Sequence, residues 1–98
     1  MMMTANDIVS RLRELKPIIS AHYKVKELGL FGSFVRGEQG ANSDIDILAE
    51  FDDEADLFDL VGLTLYLEEM LQRQVDIVPK RALRAELQAA VLREVITV

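Results

Sequence analysis

The sequence contains no cysteine and no tryptophan, and it has only one histidine, His22, and two prolines among its 98 residues. Without cysteine the chain forms no disulfide and offers no thiolate to zinc, which is typical of proteins of the reducing cytosol. The chain does not open on a basic segment followed by an apolar run, and no stretch approaches the ~20 apolar residues of a membrane span. We therefore expect a cytoplasmic protein without a signal peptide or membrane anchor.

Basic residues are also scarce, because 11 lysines and arginines stand against 17 aspartates and glutamates and give a net charge of −6. A surface that coats nucleic acid needs basic stripes, so we expect no direct nucleic-acid binding. The acidic balance is compatible with a metal site and with a basic protein partner. Apolar residues make up 50% of the chain. This share is enough for one core, and we expect residues 1–98 to form a single domain.

A glycine–serine pair, Gly32-Ser33, follows the first predicted strand, residues 26–31. Glycine permits a tight turn, and the backbone N–H groups and hydroxyl of a helical start, predicted over residues 33–37, suit a phosphate. Arg36 lies in that turn. Alone it would be interpreted as half of a surface ion pair, but beside Gly32-Ser33 we predict that it contacts phosphate.

Two carboxylates, Asp44 and Asp46, lie in the second predicted strand, residues 43–51. Side chains two residues apart leave the same face of an extended strand. Adjacent carboxylates repel one another unless a cation lies between them, and Mg²⁺ is the usual occupant where phosphates are handled. The wet face of a half-buried strand explains an isolated pair of this kind equally well. The upstream Gly32-Ser33 pair favours a nucleotide and metal site.

Helical periodicity predicts longer helices over residues 4–23, about 57–73 and 81–94, with Thr4 and Asp56 as N-caps of the first two. Pro17 is expected to kink or split the first helix. The second is apolar on nearly all sides. One face is predicted to consist of Leu57, Leu60, Val61, Thr64 and Leu71, and further apolar residues are Phe58, Leu63, Leu65, Leu67 and Met70. Such a helix is either buried on two sides or docked against another chain.

A third predicted strand, residues 75–79, carries Asp76 on the side opposite to Val75 and Ile77. Asp76 faces the same side as the Asp44 and Asp46 pair if the two strands are neighbours, and otherwise it is an exposed aspartate. Residues 95–98 form an edge strand or fray. The pattern predicts an α/β fold with a small mixed sheet of three to four strands and helices packed on one side.

The string Gly32-Ser33-Phe34-Val35-Arg36-Gly37, followed by Ser43-Asp44-Ile45-Asp46-Ile47, resembles the signature of the polymerase-β nucleotidyltransferase superfamily. It is similar above all to the minimal nucleotidyltransferase (MNT) antitoxins, which accompany HEPN ribonuclease toxins. Val35 stands where that family commonly has alanine. The resemblance implies a minimal polymerase-β-type fold. It also implies one or two Mg²⁺ ions on the catalytic residues Asp44, Asp46 and Asp76, and nucleotide or phosphate contacts from Gly32, Ser33, Arg36 and Ser43.

The function that this resemblance implies is transfer of AMP from ATP to a tyrosine hydroxyl of a partner HEPN toxin, which silences the toxin. A domain this short lacks a second domain that would form an acceptor pocket, so we expect the partner to bring the acceptor, with helix 57–73 as a candidate contact surface. One alternative is a non-catalytic antitoxin that acts by binding alone. A small-molecule nucleotidyltransferase is less favoured, because such enzymes need additional chain for a substrate pocket.

Overall fold

The computed structural model describes residues 3–98 and contains a four-stranded mixed sheet with the strand order β3-β2-β1-β4. The strands are β1 (Val25–Phe31), β2 (Ile45–Phe51), β3 (Val75–Pro79) and β4 (Ile96–Thr97). β1 pairs antiparallel with both β2 and β4, and β2 pairs parallel with β3. The predicted α/β architecture is confirmed, and the end of the chain forms the edge strand β4.

The helices are α1 (Ala5–Tyr23), α2 (Ser33–Arg36), α3 (Leu57–Leu71) and α4 (Ala85–Glu94). Capping boxes start the two longest. Thr4 and Asp7 exchange hydrogen bonds of 2.9 and 3.2 Å before α1, and Asp56 and Asp59 exchange bonds of 3.0 and 3.1 Å before α3. These bonds satisfy N–H groups that a helix start otherwise leaves unpaired. The predicted caps Thr4 and Asp56 are therefore confirmed.

Pro17 does not split the first helix, because α1 is continuous from Ala5 to Tyr23. A proline within a helix deprives the carbonyl four residues earlier of its partner. That carbonyl belongs to Arg13, and both Arg13 and Pro17 lie on the exposed side of α1, where water is available as a replacement. The interruption is tolerated for this reason.

Two other boundaries differ from the prediction. β2 begins at Ile45 rather than at residue 43, so Asp44 precedes the strand. The predicted helix 81–94 is interrupted, because a 3₁₀ turn (Lys80–Ala82) comes first and α4 begins only at Ala85. Leu83, between the two, is buried but lies outside the core cluster.

The core lies between one face of the sheet and helices α1 and α3. Its fully buried side chains are Ile8, Leu12, Ile19, Leu28, Leu30, Ile45, Ile47, Leu63 and Leu67. Burying a leucine or isoleucine side chain stabilises the fold by about 1.5–3 kcal/mol. The alternation along β2 and β3 directs Ile45, Ile47, Val75 and Ile77 into this core. The intervening side chains therefore face the other side of the sheet.

The predicted face of α3 is partly wrong, because its buried stripe is Leu63, Leu67 and Leu71. The outer side of α3 carries an apolar patch, the α3 outer patch, formed by Leu57, Phe58, Val61 and Leu65. These side chains are 70%, 84%, 48% and 62% exposed. A helix that is apolar all round does not reveal from its periodicity which side meets the sheet. Among the described helices, none is long and apolar enough to cross a membrane.

Candidate active site

Asp46 and Asp76 lie directly beside one another on the face of the sheet that points away from the core. The register of the parallel strands β2 and β3 pairs Asp46 with Asp76. Their sequence neighbours Ile45 and Ile77 are buried on the opposite face. Parallel pairing therefore brings together two carboxylates that are 30 residues apart in the sequence.

The environment of Asp46 opposes its negative charge. Burial raises the pKa of the Asp46 carboxyl above its ordinary value, and the charges of Asp76 and Asp44 raise it further. Arg36 offsets only part of this effect. A carboxylate whose pKa is raised by neighbouring carboxylates is part of an arrangement that a bound cation relieves.

Gly32 follows the last residue of β1 and touches Asp46. Phe31 pairs with Asp46 across β1 and β2, so the turn begins beside that carboxylate. Gly32 has φ +86° and ψ −153°, a conformation that is essentially restricted to glycine. A Cβ at this position would lie 2.9 Å from Asp46 Cγ, and closer still to Oδ2. Both the backbone angles and the available space therefore require glycine here.

Phe34 anchors the short helix α2 to the core, because its side chain is only 2% exposed. Anchoring Phe34 leaves the Arg36 guanidinium on the outside of the turn, where it donates to Glu38 Oε1 at 2.7 Å and Glu94 Oε1 at 2.9 Å. These carboxylates raise the pKa of Arg36. The structure thus contains ion pairs of Arg36, whereas its contact with phosphate stays a prediction.

Glu94, the last residue of α4, was not among the predicted site residues. Its Oε2 accepts a hydrogen bond of 2.8 Å from the backbone N–H of Gly32, and its Oε1 accepts from Arg36. Burial alone would raise the pKa of Glu94, but these two bonds outweigh it and lower the pKa. A single glutamate at the end of an amphipathic helix gives no sequence signal for this role.

A cleft of about 550 Å³ lies between the open face of the sheet and α4. Its polar end is formed by Gly32, Arg36, Asp46, Asp76 and Glu94. Its other end is mainly apolar and is formed by side chains of β3 and of the segment from residue 82 to 91, among them Val78, Leu83, Leu87 and Val91, together with the charged Arg84. One end thus suits phosphates and metal, and the other suits an apolar ring.

Three other predicted residues lie outside the lining of this cleft. Asp44 is exposed and borders a separate depression together with Arg73 and Gln74. The Ser43 hydroxyl accepts a hydrogen bond of 2.7 Å from the Gly40 N–H and so orders its own loop. Ser33 is half-buried at the start of α2. The structure therefore brings together Gly32, Arg36, Asp46 and Asp76, with Asp44 close enough to influence Asp46 electrostatically.

Arg73 is a second residue that sequence reasoning missed. Its guanidinium donates to the carbonyl oxygens of Gly40, Ala41 and Ser43 at 3.0, 2.7 and 2.9 Å. It also lies over the Phe34 ring, with Cζ 5.2 Å from the centroid. Charge-assisted bonds to several carbonyls fix a loop strongly. Arg73 therefore positions the segment that leads into Asp44.

The donor set fits a hard cation such as Mg²⁺, since oxygen ligands converge around Asp46. Within residues 3–98, no three histidine, aspartate or glutamate side chains are grouped closely enough to hold a metal by themselves. Mg²⁺ is usually bound by one or two carboxylates together with substrate phosphates rather than by a complete protein cage. Asp46 and Asp76, with Asp44 nearby, match that mode of binding.

The sequence profile of the nucleotidyltransferase domain family matches residues 12–97. The chain belongs to this nucleotidyltransferase family. Among its relatives, the protein adenylyltransferase MntA of Thermococcus cleftensis is 42% identical over 94 residues, which cover 89% of this chain and 95% of that protein. Two proteins of Methanocaldococcus jannaschii that also carry the name protein adenylyltransferase are 42% and 40% identical over 84 and 82 residues, which cover 84% of this chain in each case and 84% and 95% of those proteins.

Solved structures give the same result for the fold of this nucleotidyltransferase. A structure assigned as a minimal nucleotidyltransferase superposes with a TM-score of 0.82 at 35% identity and covers 96% of this chain and 95% of that chain. A toxin–antitoxin complex with AMP-PNP gives a TM-score of 0.68 at 30% identity, over 97% and 72% of the two chains. An MNT antitoxin bound to a tri-AMPylated HEPN toxin of Shewanella oneidensis gives 0.58 at 27% identity, over 94% and 66%.

Proposed function

We propose that this nucleotidyltransferase is an antitoxin that transfers AMP from ATP to a tyrosine hydroxyl of a partner HEPN ribonuclease toxin and thereby neutralises it. The observation that carries the proposal is the convergence of the Asp46–Asp76 carboxylate pair with Gly32 and Arg36 at one end of the cleft. The relative named protein adenylyltransferase and the structures of MNT–HEPN and AMP-PNP complexes support it.

The proposed binding mode places the triphosphate at the polar end of the cleft. The Gly32 N–H and the Arg36 guanidinium donate hydrogen bonds to its non-bridging oxygens. Further contacts from Ser33 and Ser43, which lie outside the cleft lining, stay predictions. The apolar end, with Val78 and Leu87, accommodates the adenine ring. Holding both ends of ATP aligns the α-phosphorus with an acceptor that enters from the open side.

Asp46 and Asp76, with Asp44, are the residues that hold Mg²⁺ in this proposal. When bound, Mg²⁺ neutralises charge on the phosphates and lowers the pKa of oxygens that it contacts. Asp76, the more exposed partner of the pair, accepts the phenolic proton of the acceptor tyrosine, whose pKa of about 10 keeps it protonated at neutral pH. The tyrosine oxygen then forms a bond with the α-phosphorus, the bond to the bridging oxygen breaks, and pyrophosphate leaves.

Intact mass of the cognate HEPN partner after incubation with the protein, ATP and Mg²⁺ tests this function. We expect one or more AMP-sized additions, and peptide mapping is expected to place them on tyrosine. The same reaction with Asp44→Asn is expected to give no addition, because one of the three carboxylates proposed to hold the cation is missing. Omission of Mg²⁺ is a second control.

A tight complex with an unmodified partner, under conditions where ATP binds, would contradict the enzymatic function. It would support the alternative, an antitoxin that acts by binding alone. The α3 outer patch favours docking in either case, because contiguous exposed apolar side chains of this kind commonly mark protein interfaces. We propose that the HEPN partner covers this patch.

Phe58→Asp is expected to weaken association with the HEPN partner without changing the melting temperature. Phe58 is 84% exposed, so its removal takes little from the core, while truncating a buried interface aromatic costs about 2 kcal/mol or more, roughly 30-fold in Kd. Titration calorimetry or biolayer interferometry measures the change. The matched control is Leu92→Asp, an exposed apolar residue on α4. Equal losses for both variants, or an unfolded Phe58→Asp protein, would reject the α3 outer patch as the docking surface.

A further inference from the structure

We propose that Glu94 is a positioning residue that competes with the nucleotide for the phosphate-binding donors and thereby sets the affinity for ATP. This inference rests on the proposed function. The starting observation is that the two donors assigned to the triphosphate, the Gly32 N–H and the Arg36 guanidinium, both donate to one carboxylate, that of Glu94, at 2.8 and 2.9 Å.

The geometry of Glu94 resembles that of a phosphate group on the same donors. Each carboxylate oxygen takes one bond, Oε2 from the backbone and Oε1 from the guanidinium. A backbone N–H has one hydrogen and cannot serve Glu94 and a phosphate oxygen fully at the same time. Binding of the triphosphate therefore requires Glu94 to leave the Gly32 N–H.

Charge gives the exchange a direction. Glu94 adds a negative charge next to Asp46, whose pKa it raises together with Asp76 and Asp44. The bonds from Gly32 and Arg36 lower the pKa of Glu94, so it is ionised at neutral pH. An ionised carboxylate on these donors both occupies them and repels an incoming polyphosphate. Removing its charge should therefore strengthen binding of the nucleotide.

The surroundings of Glu94 allow this movement. Every side chain of α4 is exposed or half-buried, so the helix is held by few apolar contacts. Its inner side lines the cleft through Leu87 and Val91, next to the position proposed for the adenine. The backbone beyond Glu94 is held by the pairing of β4 with β1, so the exchange requires only that the Glu94 side chain turn away from the Gly32 N–H as the nucleotide enters.

Titration calorimetry of ATP with Mg²⁺ into the wild-type chain, Glu94→Gln and Glu94→Ala tests the inference. The apparent affinity for ATP is proportional to the fraction of molecules in which the Gly32 and Arg36 donors are free. If Glu94 accepts from these donors about nine-tenths of the time, its removal lowers the Kd about tenfold. We expect tighter binding for both variants, with alanine at least as effective as glutamine because it removes the acceptor entirely.

Glu38→Gln is the matched control, since it also removes one negative charge that is paired with Arg36. Glu38 accepts from Arg36 Nε at 2.7 Å, and its described contacts do not include the Gly32 N–H. We expect its Kd to change less than about twofold, the size of effect typical of an exposed ion pair. In addition, the NMR signals of the Gly32 amide and of α4 should shift on addition of ATP to the wild-type protein.

Four results would overturn the inference. Weaker binding by both folded Glu94 variants would show that Glu94 supports the site instead of competing for it. An equal gain in ATP affinity by Glu38→Gln would show that the effect comes from the change in net charge and not from competition for the donors. A wild-type Kd that both Glu94 variants share would refute the inference and leave the proposed function intact, whereas folded proteins that all fail to bind ATP would refute both.

Discussion

Asp46→Asn is expected to abolish AMP transfer while the protein stays folded. Asp46 lies at the centre of the three carboxylates, beside both Asp76 and the Gly32 turn, so the neutral amide removes the central ligand of the proposed cation site. Loss of several kcal/mol of transition-state charge stabilisation corresponds to a decrease of about 10³-fold or more in the rate. The rate of AMP incorporation into the HEPN partner measures this directly.

The raised pKa of Asp46 also predicts whether Asp46→Asn stabilises or destabilises the folded protein. Between the ordinary and the raised pKa, the folded protein holds a proton that the unfolded chain has already released, so stability falls as pH rises through this window. Above the window, the ionised carboxylate destabilises the fold. Asp46→Asn should therefore melt at the same temperature as the wild type, or higher, at neutral pH, and the difference should vanish in acid.

Asp53→Asn is the control, because Asp53 is an exposed aspartate in the turn after β2 that does not line this cleft. It should leave both the transfer rate and the pH dependence of melting unchanged. Normal AMP transfer by Asp46→Asn would refute the metal assignment. A lower melting temperature at neutral pH would instead contradict the electrostatic reading of this residue.

Gly32→Ala is expected to have the second largest effect, and it should reduce both stability and activity. Forcing alanine into a backbone conformation that only glycine adopts costs about 1–3 kcal/mol. The added Cβ also displaces the Asp46 carboxylate, whose Cγ would be only 2.9 Å away. A misplacement of about 1 Å at the reacting centre lowers rates by about 10²-fold. Chemical denaturation and the AMP-transfer assay measure the two effects separately.

Gly37→Ala separates backbone strain from the displacement of Asp46. Gly37 also has a positive φ, +73°, but a Cβ there would meet no described atom within 4 Å. This variant should lose about 1 kcal/mol of stability, the usual cost of the left-handed conformation, and retain its transfer activity. If both glycine variants lost activity equally, the contact with Asp46 would not be the cause.

The local sequence was sufficient to predict most elements of the fold. The caps Thr4 and Asp56, the alternation of Val75-Asp76-Ile77 and the glycine turn after β1 all rest on interactions among residues close together in the chain. Such signals are strong because backbone angles and hydrogen bonds at element ends depend on nearby side chains. The boundaries around Asp44 and Ala85 were less predictable, because Arg73 and the burial of Leu83 decide them from a distance.

For the site, the sequence by itself determined the residue types and their spacing in Gly32-Ser33 and Asp44-Ile45-Asp46, and the resemblance that follows from them. Only the tertiary structure decided that β3 runs parallel beside β2 and sets Asp76 against Asp46. It also brought Glu94, 62 residues away, onto the Gly32 N–H. Contacts of this kind depend on how strands and helices pack, and the free energy of packing belongs to pairs of surfaces rather than to any one segment.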